Sequence, residues 1–129
     1  MREELNKLTE AIIGAAIAVH RELGPGLLES AYEACLAFEL TDHGFYVEKQ
    51  KELPVVYRGF RVDCGYRLDL LVERKVIVEL KAVEKLHPIL EAQLISYLKL
   101  SGCKVGLLLN FNVRMLRDGL KRMVHDLPE

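Results

Sequence analysis

The sequence lacks an apolar run long enough to cross a membrane. The longest such run, from Ala11 to Val19, spans nine residues, whereas a membrane-spanning helix needs about 20. The first four residues, Met1-Arg2-Glu3-Glu4, carry charges of both signs, and no small-residue cleavage site follows them, which is not the pattern of a secretory signal. We therefore expect a cytoplasmic protein with no membrane partner.

Paired cysteines are missing as well. Cys35, Cys64 and Cys103 are odd in number, lie far apart and form no CxxC motif. This excludes a disulfide framework and a cysteine-rich zinc knuckle. We expect three free thiols, buried or half-buried, in a reducing compartment.

The chain has no strong charge of either sign. It contains 18 Lys and Arg residues against 19 Asp and Glu residues, for a formal net charge of -1. A coat-like, histone-type affinity for DNA is excluded, because it requires many cations that neutralise phosphates. Repeats, linkers and charge blocks are also absent, so the 129 residues are expected to form one domain over 1–129.

The hydrophobic periodicity predicts a mixture of helices and strands. The predicted helices are 4–22, 28–42, 88–101 and 113–125. The predicted strands are 45–51, 53–57, 60–65, 66–73, 76–83 and 104–111. The third helix is a natural crossover between the parallel strands on either side of it. We therefore expect an α/β fold, a single domain with a central mixed β-sheet flanked by helices.

Asp69, Glu79 and Lys81 are the strongest candidates for a chemical role. Glu79 and Lys81 share a face of their strand because side chains alternate in direction. A three-residue hairpin loop at 73–75 places Asp69 directly opposite Glu79, on the same face. A loop one residue shorter places it opposite Leu80 and disperses the group. The site hypothesis therefore requires one particular register.

Two carboxylates between apolar strands repel each other and lose hydration, which is costly unless a charge compensates them. A divalent cation would do so, and oxygen ligands favour Mg²⁺ or Mn²⁺ over zinc. The nearby lysine can stabilise charge on a phosphoryl group or position a water molecule. The structural alternative is an acid–lysine ion pair at the end of a sheet.

Two helical pairs and one histidine are further candidates. Glu29 and Tyr32 lie three residues apart on the second helix, and Gln93 and Tyr97 lie four apart on the third. The structural alternatives are a contact of Glu29 with the helix dipole and a boundary position for Gln93. His20 lies on the apolar face of the first helix, where it is either a core histidine or a metal ligand.

The segment Leu23-Gly24-Pro25-Gly26, followed by Glu29 and Tyr32, resembles the GxxExxY family of the PD-(D/E)XK nuclease superfamily. The resemblance covers about residues 8–125. It implies a restriction-endonuclease-like core, so residues 1–129 are expected to form a single nuclease-like domain. Leu68 stands where that superfamily usually has a proline before its first acidic residue.

The resemblance also implies roles for the candidate residues. Asp69 and Glu79 match the metal-binding acidic pair, Lys81 matches the catalytic lysine, and Glu29 matches an acidic residue that assists at the metal from the leading helix. His20 occupies the place where some RecB-like members have a helical metal ligand.

Three more residues are assigned to substrate binding or support. Gln93 and Tyr97 resemble the QxxxY motif that flanks the site in RecB-like members. Tyr32 completes the GxxExxY motif on the second helix.

We therefore expect a nuclease that uses Mg²⁺ (or Mn²⁺) to hydrolyse phosphodiester bonds in DNA or RNA. The alternative is a non-catalytic module that binds nucleic acid or protein on a retained nuclease scaffold. A third hypothesis is a homodimer that forms through exposed Tyr46, Tyr57 and Phe60. The basic residues that could contact phosphate are Lys49, Lys51, Arg58, Arg61, Arg67, Arg114, Arg117, Lys121 and Arg122. Three of these, Arg114, Arg117 and Lys121, are expected on one face of the last helix.

Overall fold

The computed structural model describes residues 1–127. Its helices are α1 (Arg2–Leu23), α2 (Glu29–Asp42) and α3 (Pro88–Ser101), with a short 3-10 helix at Leu116–Gly119. Its strands are β1 (Val47–Glu52), β2 (Val55–Tyr57), β3 (Phe60–Val62), β4 (Arg67–Val72), β5 (Val76–Lys81), β6 (Val105–Asn110) and β7 (Leu120–Val124). The first three predicted helices are confirmed.

The ends of α3 show why its bounds could be predicted. Pro88 occupies the first turn, where its missing N–H leaves no hydrogen bond unmade. The His87 side chain accepts a hydrogen bond from Ile89 N–H at 3.2 Å. Gly102 ends the helix with φ 80, a left-handed conformation that favours glycine.

A five-stranded mixed sheet has the order β1-β4-β5-β6-β7. β5 and β6 run parallel, and the other neighbouring pairs run antiparallel. The parallel pair is joined through α3, as a crossover connection requires. The expected α/β architecture with a central mixed sheet is confirmed.

Helices cover both faces of this sheet. Residues of α1 and α2 pack against one face, which includes Leu70 and Val78. Leu94 and Leu98 of α3 pack against the other face, which includes Ile77. β5 is therefore apolar on both sides, as expected of an interior strand. Glu79, near the end of this strand, is consequently buried.

The β2–β3 hairpin lies outside the central sheet. Its two strands pair only with each other as a separate two-stranded sheet. Its turn is formed by Arg58-Gly59, and both residues have positive φ (50 and 84), as a type I′ turn requires. Leu53 N–H donates to Tyr66 O at 2.9 Å and closes the base of the hairpin.

The predicted helix at 113–125 is wrong. The 3-10 helix at Leu116–Gly119 is followed by β7, which pairs antiparallel with β6 from Leu109↔Leu120 to Val105↔Val124. β6 would otherwise present an unpaired edge of N–H and C=O groups, and pairing satisfies that edge better than a local helix can. The predicted helical face of Arg114, Arg117 and Lys121 therefore does not form.

Gly119 permits this change of direction, and its substitution gives a testable prediction. A Cβ there would collide with the backbone oxygen of Asn110 and lie 3.2 Å from Val113 Cγ2. Gly119→Ala is expected to lower the free energy of unfolding by about 1–3 kcal/mol, measured by urea denaturation. Gly14→Ala is the matched control, because its Cβ meets nothing within 4 Å and alanine favours helix. Equal urea midpoints for wild type and Gly119→Ala would contradict the prediction.

Two smaller expectations can be compared with the structure. All three cysteines are free, as predicted, but Cys35 and Cys64 are exposed rather than buried, and only Cys103 is half-buried. Cys35 lies on α2, and Cys64 lies in the loop between β3 and β4. Within residues 1–127, no helix combines the length and apolar character needed to cross a membrane.

Candidate active site

The β4–β5 hairpin has the register that the site hypothesis requires. Val72 pairs with Val76 and Leu70 with Val78, so the loop at 73–75 contains three residues. Glu73 and Arg74 both have positive φ (53 and 56) in this loop. The two strands stop pairing through their backbones after Leu70 and Val78, and they part at the next residues.

Asp69 and Glu79 lie where the strands part, and their side chains replace the missing backbone ladder. Asp69 N–H donates to Glu79 Oε2 at 2.8 Å, and Leu80 N–H donates to Asp69 Oδ2 at 2.9 Å. The two carboxylates are therefore held side by side by reciprocal bonds. Each uses one oxygen for a backbone N–H, so the second oxygen of each is the one that can bind a cation.

The environment strongly disfavours charge on Glu79. Its residue is 4% exposed, and the pKa of Glu79 is raised from 4.5 to about 8, chiefly by burial. The negative charges of Asp69 and, to a smaller extent, Glu33 contribute to this rise, whereas the Asp69 N–H bond and Lys81 oppose it. The acidic pair thus carries an uncompensated electrostatic cost that a bound cation would relieve.

Lys81 ends β5, two residues beyond Glu79. It is half-buried, and its positive charge lowers the pKa of Glu79. Lys81 O accepts Phe111 N–H at 2.8 Å, and Lys81 is in register with Asn110 of β6. The backbone that carries the lysine is therefore fixed by the neighbouring strand.

Asn110 braces the chain that leaves β5. It is 2% exposed. Its Nδ2 donates to Val83 O at 2.9 Å, and its Oδ1 accepts the N–H groups of Val83 and Asn112 at 3.1 and 3.2 Å. Sequence reasoning missed this residue, because an asparagine at the end of an apolar strand has no pattern that marks it.

Gln50 and Glu33 are two further residues at the site that sequence reasoning missed. Gln50 Nε2 donates to Glu33 Oε1 at 2.7 Å and approaches Asp69 Oδ1 at 3.4 Å. Burial raises the pKa of Glu33, and the charges of Asp69 and Glu29 act in the same direction, against the opposing effects of the Gln50 hydrogen bond and Lys49. Glu33 lies four residues after Glu29 on α2, and this spacing could have identified it.

The GxxExxY motif has a structural explanation that centres on Tyr32. Tyr32 is fully buried, and its ring stacks on Phe111 with centroids 4.5 Å apart. Its hydroxyl donates to Gly24 O at 2.6 Å and accepts Leu27 N–H at 3.1 Å. Tyr32 thereby holds the glycine-rich loop that sets the start of α2. The exposed Glu29 occupies the first turn of that helix.

His20 has the contacts of a core histidine. It is 6% exposed, and its Nε2 lies 2.8 Å from Val113 O and 3.2 Å from Phe111 O. Both partners are acceptors, so Nε2 carries a proton and donates. These bonds tie α1 to the chain that follows β6 and account for a histidine on an apolar helix face.

Tyr97 and Gln93 share one side of α3, as their spacing predicts. Burial, followed by the charge of Glu79, raises the pKa of Tyr97 to about 12, and Tyr66 and Asp69 contribute smaller effects. Tyr97 therefore presents a protonated hydroxyl beside the acidic pair. Both residues line a groove of about 370 Å³ that Tyr66 closes on the opposite side.

The acidic pair fits a divalent cation by its donor chemistry. Two adjacent carboxylates with raised electrostatic cost are hard oxygen ligands of the kind that Mg²⁺ and Mn²⁺ bind. Across the described chain, 1–127, no three His, Cys, Asp or Glu side chains are grouped closely enough to hold a metal ion together. Water or substrate oxygens would complete the coordination, as is usual for Mg²⁺.

A second groove, larger than the one lined by Tyr97, lies away from the acidic pair. It has a volume of about 520 Å³ and is at the opposite end of β5, beside Lys75 and Lys104. It contains no acidic pair. Residue chemistry, rather than volume, therefore locates the candidate site.

The central mixed sheet thus carries two carboxylates where its inner strands part and a lysine two residues beyond Glu79. A family model described as the PD-(D/E)XK nuclease superfamily matches residues 6–123. The chain belongs to that superfamily. The expected restriction-endonuclease-like core is thus confirmed. Searches of curated proteins and of solved structures found no match.

Proposed function

We propose that this chain is a metal-dependent nuclease of the GxxExxY family that hydrolyses phosphodiester bonds in DNA or RNA. The observation that carries this proposal is the acidic pair, Asp69 and Glu79, held by reciprocal backbone hydrogen bonds beside Lys81. Structural ion pairs at sheet ends lower the pKa of their acids. Here the pKa of Glu79 is raised to about 8 despite Lys81, so the lysine alone does not offset the cost of ionising this buried acid, whereas a divalent cation would.

Asp69 and Glu79 are the ligands we assign to Mg²⁺ or Mn²⁺. A divalent cation held by these two carboxylates would neutralise charge on the phosphodiester and supply an activated water molecule. Glu29 and Glu33 extend the acidic surface from α2, with Gln50 linking Glu33 to Asp69. His20 is not assigned to the metal, because its Nε2 donates to backbone carbonyls.

Lys81, Tyr97 and Gln93 act on the substrate in this proposal. The Lys81 ammonium group positions the attacking water and stabilises negative charge on the phosphoryl oxygens. Tyr97 keeps its proton at neutral pH because its pKa is raised to about 12, so it donates a hydrogen bond to the substrate. Gln93, one turn earlier on α3, supports the substrate from the same groove.

Asp69→Asn is expected to abolish both Mn²⁺ binding, measured by calorimetry, and Mn²⁺-dependent cleavage of labelled oligonucleotides. Asparagine keeps an oxygen that accepts Leu80 N–H, so the unfolding midpoint should change little. Wild type should release protons on binding Mn²⁺ near neutral pH, because Glu79 must lose its proton first. Asp63→Asn, at an exposed aspartate, is the matched control and should bind and cleave like wild type.

Undiminished Mn²⁺ binding by Asp69→Asn would contradict the assigned site. The alternative, a non-catalytic binding module on the same scaffold, is favoured by one observation. Within residues 1–127 the acidic pair has no third ligand close enough to hold a metal ion with it. That module would bind nucleic acid without metal-dependent turnover, so cleavage that Asp69→Asn abolishes excludes it.

A further inference from the structure

The β2–β3 hairpin exposes two large aromatic side chains that the fold does not use. Tyr57 is 65% exposed and Phe60 is 68% exposed. The two residues are directly opposed across the hairpin, so their rings lie on the same face. We call residues 55–62 the aromatic hairpin.

Exposed aromatic residues are concentrated in this part of the chain. Nine Tyr and Phe residues occur in the sequence, and five of them are exposed, three of which lie between 57 and 66. A two-stranded hairpin alone is marginally stable in water. This one is anchored at its base by the Leu53–Tyr66 hydrogen bond and by the ring of Tyr66, 5.9 Å from that of Tyr97. Tyr57 and Phe60, at the tip, add nothing to that anchor.

The charge around the hairpin is positive, although the whole chain is not. Residues 51–67 contain four Lys and Arg residues and two Asp and Glu residues, within a chain whose net charge is -1. Arg58 stands in the turn, and Arg61 follows Phe60 in β3, on the other face of the hairpin, opposite Val56. The Arg61–Asp63 pair is solvent-exposed, so it holds the guanidinium only weakly.

The hairpin leaves the sheet beside the acidic pair. β1 and β4 end their pairing at Glu52↔Arg67, and Arg67 is two residues from Asp69. The groove of about 370 Å³ then runs between Val55 and Tyr66 on the hairpin side and Tyr97 on α3. Tyr66, which lines this groove, is three residues before Asp69 in the chain, so the hairpin end of the groove lies near the acidic pair.

We propose that the aromatic hairpin binds single-stranded nucleic acid, with bases stacked on Tyr57 and Phe60 and phosphates against Arg58 in the turn. In a duplex, each base is stacked between its neighbours and its faces are covered. Aromatic side chains can therefore stack on bases only where the nucleic acid is unpaired. The inference deepens the proposed nuclease function and rests on it for the path of the bound nucleic acid. That path follows the groove toward Asp69 and Glu79.

The test is fluorescence anisotropy of short labelled oligo-dT, oligo-rU and a mixed-sequence duplex, at about 50 mM salt with EDTA to prevent turnover. Wild type should bind the single strands more tightly than the duplex. Tyr57→Ala/Phe60→Ala should weaken single-strand binding by at least about tenfold, while Tyr57→Trp retains it. Phe38→Ala is the matched control, because Phe38 is 70% exposed but lies on α2. Arg58→Ala should reduce the salt dependence.

Three results would overturn the inference. They are equal single-strand binding by wild type and the double variant, duplex binding as tight as single-strand binding, or no binding by wild type. A wild-type dimer that the double substitution dissociates, with single-strand binding unchanged, also overturns it and assigns the surface to a second copy. None of these variants alters the acidic pair, and EDTA removes the metal. Failure here therefore leaves the Asp69→Asn test to decide the nuclease proposal independently.

Discussion

Glu79→Gln is expected to stabilise the metal-free protein at alkaline pH while abolishing metal-dependent cleavage. Burial and Asp69 raise the pKa of Glu79 from 4.5 to about 8 in the folded protein. The folded state therefore holds a proton that the unfolded state releases between these two pH values. Stability from this proton is fully present below about pH 4.5, declines as pH rises, and is lost above about pH 8. Glutamine resembles the protonated acid and keeps an acceptor for Asp69 N–H.

The measurement is urea denaturation of wild type and Glu79→Gln from pH 5 to pH 9 in EDTA. One pKa unit corresponds to about 1.4 kcal/mol, so the variant should gain about 4 kcal/mol relative to wild type between the ends of this range. Adding Mn²⁺ at pH 9 should stabilise wild type and leave the variant unchanged. Glu84→Gln, at an exposed position after β5, is the control and should follow wild type. If the free energy of unfolding depends on pH in the same way for wild type and Glu79→Gln, the prediction is contradicted.

Lys81→Met is expected to reduce the rate of cleavage by about 10²–10³-fold, the usual effect of removing one group that stabilises transition-state charge. Methionine keeps much of the apolar stem of a half-buried lysine. Because Lys81 lowers the pKa of Glu79, its loss should also weaken metal binding near neutral pH. The rate should therefore be compared at pH 9 and saturating Mn²⁺, where the acidic pair is ionised in both proteins.

The exposed Lys85, in the loop after β5, provides the matched control. Lys85→Met should cleave at the wild-type rate. Lys81→Arg keeps the positive charge but not the compact ammonium geometry, so an intermediate rate is expected. A wild-type rate in Lys81→Met under saturating metal would remove the lysine from the mechanism and leave it as an ion-pair partner of Glu79.

The physical reading of GxxExxY changes once the fold is known. The resemblance assigns Glu29 to the metal and Tyr32 to substrate binding or support, but the buried Tyr32 hydroxyl bonds Gly24 O and Leu27 N–H. The motif thus fixes the loop before α2 and the start of the helix. The helix then presents Glu29 and, one turn later, Glu33. Residues 26–32 therefore both fix the backbone at the start of α2, through Tyr32, and carry Glu29 in the first turn of that helix.

Local patterns by themselves determined much of this protein. Pro88 and Gly102 mark the bounds of α3, because each acts on the backbone of its own turn. The alternation of β5 put Glu79 and Lys81 on one face, whereas the pairing of Asp69 with Glu79 depended on a three-residue loop, which the structure has. The three residues were therefore recognisable as candidates from sequence, but their register was not.

Only the tertiary structure decided the features that depend on distant partners. Residues 120–124 form a strand because β6 has an edge to pair, and the separation of β2 and β3 from the central sheet depends on how β1 meets β4. Glu33 reaches the site through Gln50, 17 positions away in sequence. Periodicity reports which face of an element is apolar, but it carries no information on which element will cover that face.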